Sequence, residues 1–294
     1  MAALSSAACG LRRYHHSEFP ADRSAQRTAT VSVCVPARNE AANIAATVTH
    51  LVRLRDLGVV DQVVVVDDST DGTARLAAAA GAQVFDQSSL RAEFGPVDGK
   101  GDAMWRALSV CEGDIVCFLD ADSADFGERF PRGLIGPVAS GQADFAKGVY
   151  RRPFRAGGVT QPTGGGRVTE LTARPLLDAF YPELALFGQP LAGEIAARRE
   201  LLETLPFACG YSVDIALLID VWRAVGLGRM AEVDLDVRQN RHRPLHELGP
   251  MASQVAVGIL SRVAQEGRLD EAPELSERPP AVSLRRRASA ASAA

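Results

Sequence analysis

The chain lacks any run of about 18 apolar residues, the length a helix needs to cross a bilayer, so the sequence points away from a membrane span. It also lacks the leading positive charge of a secretory signal. Met1 to Gly10 is a short Ala/Ser-rich stretch, and Arg12 and Arg13 follow it, which is the wrong order. The five cysteines, Cys9, Cys34, Cys111, Cys117 and Cys209, show no C-x-x-C and no paired spacing. That pattern suits a reducing compartment and argues against a cysteine-held zinc site or a catalytic thiol. Cys34 and Cys117 lie in apolar, strand-like runs, where cysteine behaves as a small hydrophobe. An excess of positive charge is missing too: 32 Lys+Arg face 36 Asp+Glu, a formal net charge of −4. The first 30 residues carry +2 and the last 14 carry +3, which leaves −9 on the middle. Such a balance disfavours nucleic-acid binding through a broad basic face. The 294 residues, 47% hydrophobic and 23% charged, describe a globular, cytoplasmic, enzyme-sized protein with a substantial core.

The first 28 residues have no sustained period and read as a flexible arm. Order begins at Val31-Ser-Val-Cys-Val35, a buried-strand pattern stopped by Pro36, and Asn39 is placed to cap a helix starting near Ala41. Ile44, Val48, Leu51 and Val52 form that helix's apolar stripe, and Gly58 ends it. Val63 to Val66 is too apolar for an exposed strand and belongs in a parallel sheet covered on both faces. An Ala-rich helix closed by Gly81, a strand at Ala82–Phe85, a helix after Gly101 and a strand at Ile115–Leu119 continue the series. Strand and helix alternating through short joints predict an α/β fold with a doubly wound, mostly parallel sheet. Ligands then bind beyond the carboxyl ends of the strands, here Pro36–Glu40, Asp67–Gly72 and Asp120–Asp125. One domain is expected over 29–153. A helix-rich region over 154–268 opens with a glycine-rich flexible loop at 155–166 and holds a strand near Val233–Val237. Residues 269–294 read as a disordered tail.

Familiar phosphate motifs fail. Gly95-Pro-Val-Asp-Gly-Lys-Gly101 lacks the early glycine and final Ser/Thr of a P-loop, and no G-x-G-x-x-G follows the first strand. Asp67-Asp-Ser-Thr-Asp-Gly72 begins like a calcium loop, but position twelve is Ala78 instead of Glu. What remains is Asp120-Ala-Asp122 after an apolar strand. Carboxylates two apart on extended backbone point the same way, with roughly 6–7 Å between Cα atoms. An Asp-x-Asp can be plain surface. At this sheet edge its repulsion is better relieved by a divalent cation bridging to two phosphate oxygens. Lys100, flanked by glycines, can approach the same anion.

At these residues the chain resembles the nucleotide-sugar glycosyltransferases of the A-type fold. They share a V-x-V-x-x-P-x-x-N-E opening (Val31–Glu40), a V-D-D-x-S-T-D-G-T turn (Val66–Thr73, one residue shorter here) and a D-x-D (Asp120–Asp122). A narrower resemblance, over about 31–265, is to the glucosyl-3-phosphoglycerate synthase family. It rests on Gly99-Lys-Gly101 with Trp105, Tyr150-Arg-Arg-Pro153, Gly164–Leu171, Gln189–Glu194, Pro206–Tyr211 and Arg241–Leu245. The resemblance implies a retaining transfer of a hexose, glucose in that family, from a UDP- or GDP-sugar to 3-phosphoglycerate or a similar small phosphorylated acceptor. It also implies Mg²⁺ or Mn²⁺ as cofactor and a homodimer.

By that resemblance Pro36, Arg38, Glu40, Asp68, Ser69, Lys100 and Asp120 contact the donor, and Asp122 and His242 bind the metal. Gly166, Arg167 and Thr169, helped by Arg243, hold the acceptor. Glu194 sits by the sugar hydroxyls, a catalytic position with Lys100 and Asp122. The family's metal-binding histidine falls at Asn240 in this register, while His242 stands where the family has asparagine. A carbonyl or water is therefore an alternative to His242. The exchanged pair also keeps open a related glycosyltransferase with another acceptor, such as a nucleoside-like one. A sugar-phosphate nucleotidyltransferase fits less well, because its glycine-rich loop after the first strand is replaced by Pro36–Glu40.

Overall fold

Alternation along each central strand decides the layering. Val33, Val35, Val63, Val65, Ile115 and Cys117 face one apolar layer, whereas Cys34, Val64, Val66, Val116 and Phe118 face another. Successive strand side chains point to opposite faces, so these uninterrupted apolar runs require helices on both sides of the sheet. The computed structural model describes residues 10–20, 28–123, 125–156, 159–161, 165–238 and 244–269.

In chain order the strands and α-helices are β1 (Arg12–His15), β2 (Val31–Ala37), α1 (Ile44–Asp56), β3 (Gln62–Asp67), α2 (Thr73–Ala79) and β4 (Gln83–Asp86). Then come α3 (Gly99–Ala107), β5 (Ile115–Phe118), α4 (Arg129–Ala139), β6 (Phe145–Arg151), β7 (Phe154–Ala156) and β8 (Val159–Gln161). The last are α5 (Arg174–Phe180), β9 (Ile195–Arg198), α6 (Arg199–Glu203), α7 (Val213–Val225), β10 (Met230–Val237) and α8 (Gly249–Gln265). Eight strands form one sheet in the order β1-β10-β6-β9-β5-β2-β3-β4, with only β9 antiparallel to its neighbours. The layer with Ile44, Leu51, Phe130 and Leu134 brings α1 and α4 to one face. The layer with Met104, Leu177, Leu217 and Ile259 brings α3, α5, α7 and α8 to the other. No helix of the described residues is long and apolar enough to cross a membrane.

Several expectations need correction. The arm expected over 1–28 contains β1, which pairs with β10 at the sheet edge; its Arg12-Arg13-Tyr14-His15 sequence is polar, as an exposed edge strand permits. The glycine-rich loop at 155–166 is in part a hairpin, β7 against β8. Asn39 does not cap α1. It adopts φ +56°, and its Oδ1 accepts from the Thr70 N–H at 3.1 Å, joining the turns after β2 and β3. The regions 29–153 and 154–268 share one sheet, since β9 and β10 flank β6. The expected tail lies almost wholly outside the described residues.

Candidate active site

The carboxyl ends of β2, β3 and β5 open into one cleft of about 770 Å³, lined there by Pro36–Glu40, Asp68 and Asp120–Asp122. Lys100, in the first turn of α3, reaches the floor. Its Nζ lies 2.7 Å from Asp120 Oδ1 and 3.1 Å from both oxygens of Asp214, in the first turn of α7. The approach is so close that a Cβ on Gly193 would collide with Lys100 Nζ and the Asp120 carboxylate, so any larger residue there would displace this pair. Burial works against the Lys100 charge, yet Asp120 and Asp214 hold its ammonium protonated well above the ordinary lysine range.

The second anchor is Arg238, one residue beyond β10 and only 3% exposed. Its Nε donates to Ser123 Oγ at 2.8 Å and its Nη1 to the Tyr150 hydroxyl at 2.9 Å. Nη2 donates to Asp122 Oδ1 at 2.7 Å and to Asp120 Oδ2 at 3.3 Å. Nη1 also abuts Glu194 Oε1. Burial alone would raise Asp120. Lys100 and then Arg238 outweigh it and hold the carboxyl well below the usual range. Asp120 is therefore a fixed anion clamped by two cations, while Asp122 is 52% exposed toward the cleft.

Glu194 departs from expectation. It is 1% exposed and does not line the cleft; its Oε2 accepts from the Tyr150 hydroxyl at 2.8 Å. Burial and then the Asp120 charge raise its carboxyl above the ordinary value, against the pull of Arg238. It lies behind the cleft-lining Tyr150 and Arg238. Lys147 is buried behind it and donates to the Ala192 carbonyl at 2.6 Å; burial brings its ammonium down to about 8.

Of the expected donor residues, Pro36, Arg38, Glu40, Asp68, Lys100 and Asp120 line the cleft. Arg38 is 70% exposed, with Nε 3.6 Å from Asp68 Oδ2. Ser69 does not line it. Its hydroxyl donates to Asp67 Oδ1 at 2.6 Å and accepts from the Asn39 N–H at 2.7 Å, which fixes the turn beneath. Across the cleft stand Gly166, Arg167 and Thr169. Gly166 has φ +78°, a left-handed conformation that suits glycine, and Thr169 opens a π-type turn, Thr169–Ala173, of the rare kind found at functional sites. The expected His242 and Arg243, with Asn240, lie outside the described residues.

The sequence reading missed Arg238 and Asp214. For Arg238 a signal existed: the strand-end rule, applied to the strand near Val233–Val237, points straight at it. Asp214 opens an apolar helix, and an acid in a first turn is ordinary helix-dipole chemistry, so no local pattern marked it.

Comparison with known proteins decides the class. Residues 32–194 match the profile described as glycosyl transferase family 2. The chain belongs to glycosyltransferase family 2. As such it is a sugar-transferring enzyme. It is 48% identical over 238 residues to a glucosyl-3-phosphoglycerate synthase from Mycobacterium tuberculosis, covering 79% of this chain and 73% of that protein. A glucosyl-3-phosphoglycerate synthase from Petrotoga mobilis is 37% identical over 276 residues, 91% of this chain and 85% of that one. Two crystal structures share the A-type fold. Mannosyl-3-phosphoglycerate synthase from Rubrobacter xylanophilus superposes with TM-score 0.81 at 46% identity, covering 89% of this chain and 84% of that one. The M. tuberculosis glucosyl-3-phosphoglycerate synthase in complex with Mn²⁺, uridine-diphosphate-glucose and phosphoglyceric acid superposes with TM-score 0.76 at 44% identity, covering 86% and 88%.

Proposed function

We propose that this glycosyltransferase moves glucose from UDP-glucose to the 2-hydroxyl of 3-phosphoglycerate with retention of the α configuration, using Mg²⁺ or Mn²⁺. One observation carries the reading: Asp120 and Asp122, backed by Lys100 and Arg238, share a single cleft with the Gly166–Thr169 turn and its Arg167. The first wall suits a diphosphate, and the second suits an acceptor bearing a phosphate and a carboxylate.

The donor set supports the metal. Glu40 and Asp122 share the cleft, and the Asp122 charge adds to burial in raising the Glu40 carboxyl. The carboxylates described here suit a hard divalent ion held by Asp122 with Glu40 nearby, while the expected ligand His242 lies outside the described residues. When bound, the ion supplies charge neutralisation to a leaving diphosphate. The remaining work falls to side chains. Lys100 offsets charge growing on the departing phosphate, and it is preorganised because Asp120 and Asp214 fix its ammonium before substrate arrives. Arg238 keeps the two aspartates from separating. Arg167 and Thr169 hold the acceptor so that its hydroxyl meets the sugar carbon.

Glu194 is buried beneath the floor, with Tyr150 and Arg238 on its two oxygens, which argues against it as a nucleophile. A same-face transfer fits better. The bond from sugar C1 to the phosphate oxygen breaks, the bond to the acceptor oxygen forms, and the acceptor proton passes to the departing phosphate.

The test incubates the protein and Mn²⁺ with 3-phosphoglycerate and, separately, UDP-glucose, GDP-glucose and GDP-mannose, and reads the product by NMR. An α-linked glucosyl product from UDP-glucose is expected; a β-linkage, or no transfer to 3-phosphoglycerate from any donor, would sink the proposal. A mannosyl donor is the second reading, favoured by the likeness to the R. xylanophilus synthase. The active species is proposed to be a homodimer, which sedimentation at assay concentration checks.

A further inference from the structure

At the β1 edge of the sheet, two histidines converge on one carboxylate. His16 Nε2 lies 2.7 Å from Asp236 Oδ2, and His15 Nε2 lies 3.4 Å from Asp236 Oδ1. The two rings stand 4.3 Å apart at 37° to one another. All three ligand atoms fall within 4.8 Å, and among the described residues this is the one group of three His, Cys, Asp or Glu side chains so arranged. Each is partly exposed and none lines the cleft, so an ion from solvent can enter without touching the substrate site.

The backbone is built to hold this arrangement. Asp236 adopts φ +69°, a conformation unusual for a residue with a side chain, at a register shift in β10 between Asp234 and Val237. Its N–H donates to Asp234 Oδ1 at 2.8 Å. Arg129 clamps both flanks, Nε on the Leu235 carbonyl at 3.0 Å and Nη2 on the Val237 carbonyl at 2.9 Å. His15 Nδ1 accepts from the Ser17 N–H at 3.3 Å and sits 2.7 Å from Ser17 Oγ, which fixes the ring. Because Nδ1 accepts from the Ser17 N–H, the neutral His15 ring carries its proton on Nε2, aimed at Asp236, and a metal ion entering there takes the place of that proton.

We propose that His15, His16 and Asp236 form a second metal site, for a borderline transition ion of the Zn²⁺ class. Two imidazole nitrogens and one carboxylate oxygen match Zn²⁺ or Co²⁺, whereas Mg²⁺ prefers oxygen alone. Ligands about 2.0–2.1 Å from a tetrahedral ion stand about 3.4 Å from one another. The His15–Asp236 separation of 3.4 Å matches that distance, and the 2.7 Å His16–Asp236 hydrogen bond must open by about 0.7 Å to admit the ion, with water completing the shell on the exposed side. The bound ion ties β1 to β10 two residues before Arg238, stapling the chain's N-terminal strand to the one that leads into the active-site floor.

The experiment uses the untagged full chain, stripped with EDTA and titrated with Zn²⁺ against a chromophoric chelator in excess Mg²⁺, then with Co²⁺ by visible absorption. One Zn²⁺ that excess Mg²⁺ does not displace is expected. His16→Ala and Asp236→Asn should each weaken it about 10-fold or more, and Asp122→Ala should leave it in place. Co²⁺ should give d–d bands without a thiolate charge-transfer band, and His16→Ala should remove them. Far-UV circular dichroism of the metal-free variants verifies folding, and His15→Asn, also at a part-exposed position, replaces His16→Ala should that variant misfold. Unchanged zinc affinity in the histidine and Asp236 variants, a thiolate band, or loss of the tight zinc in Asp122→Ala would overturn the assignment.

Discussion

Arg106 and Arg238 are both buried, but they sit in layers with different purposes. Arg106, on α3, is fully buried; its Nε bonds Asp102 at 2.8 and 2.9 Å, one helical turn away. Its Nη groups donate to backbone carbonyls of the 90–96 loop, including Gly95 at 2.8 Å and Arg91 at 3.3 Å. Arg238 uses its donors on Ser123, Tyr150, Asp120, Asp122 and Glu194, side chains that lie far from it in sequence. An arginine satisfied mainly by carbonyls of one loop fixes the shape of that loop. One satisfied by carboxylates that border a cleft sets the charge and position of groups that meet substrate. Burial does not separate the two; the partners do.

The contrast is sharpest in Arg238→Lys. The charge survives but the planar fork does not, so the aspartates lose their common clamp. Activity should fall about 10³-fold (~4 kcal/mol in the barrier) while the melting temperature moves by only a few degrees. A comparable loss of both would erase the distinction. Arg106→Met should do the reverse. Removing one member of a buried pair costs about 3 kcal/mol of stability, visible in chemical denaturation, with kcat within a few-fold of the parent. A large kcat loss in folded Arg106→Met would make the 90–96 loop catalytic.

Lys100→Ala should lower turnover about 10²-fold (~2.7 kcal/mol) and weaken donor binding less, since its charge matters most as the diphosphate departs. Calorimetric donor affinity beside kcat decides it; equal losses count against a transition-state role. Smaller still are the pH effects. Folded Asp120 binds its proton more weakly than the unfolded chain does, so its contribution is whole above the ordinary aspartate range, begins to fall there, and is lost only as pH drops through the much lower folded value. Thermal melts should begin to drop below about pH 4 and keep dropping as the solution is acidified further, and Asp120→Asn should flatten that drop. Lys147 has the opposite bias: burial brings it to about 8, so the folded state is penalised below that pH and relieved as pH rises toward the unfolded lysine value. Lys147→Met should remove the rise between about pH 8 and 10.

The alternating series from β2 through β5 was legible because each element carries its own signal. Val63–Val66 is apolar on both faces, and Ile44, Val48 and Leu51 repeat at helical spacing. β9 carried almost none. Its Ile-Ala-Ala-Arg is short and alanine-rich, and only pairing between β5 and β6 makes it a strand. β1 was hidden for a related reason, since an edge strand of Arg, Tyr and His has no apolar alternation to read. Among site residues, those at strand ends were foreseeable from the carboxyl-edge rule. Ser69 was assigned to the donor, yet its hydroxyl bonds Asp67 and the Asn39 backbone.

By itself the sequence determined the α/β alternation, the buried valines that demand a two-sided sheet, and an aspartate pair at its carboxyl edge, because each depends on residues within a few positions of one another. Only the tertiary structure decided that Arg238 and Asp214 complete the floor and that Glu194 lies beneath it. Those contacts join residues some 100 positions apart, and their meeting depends on the order in which strands enter the sheet. That order is set by the packing of the whole core, which no local pattern encodes.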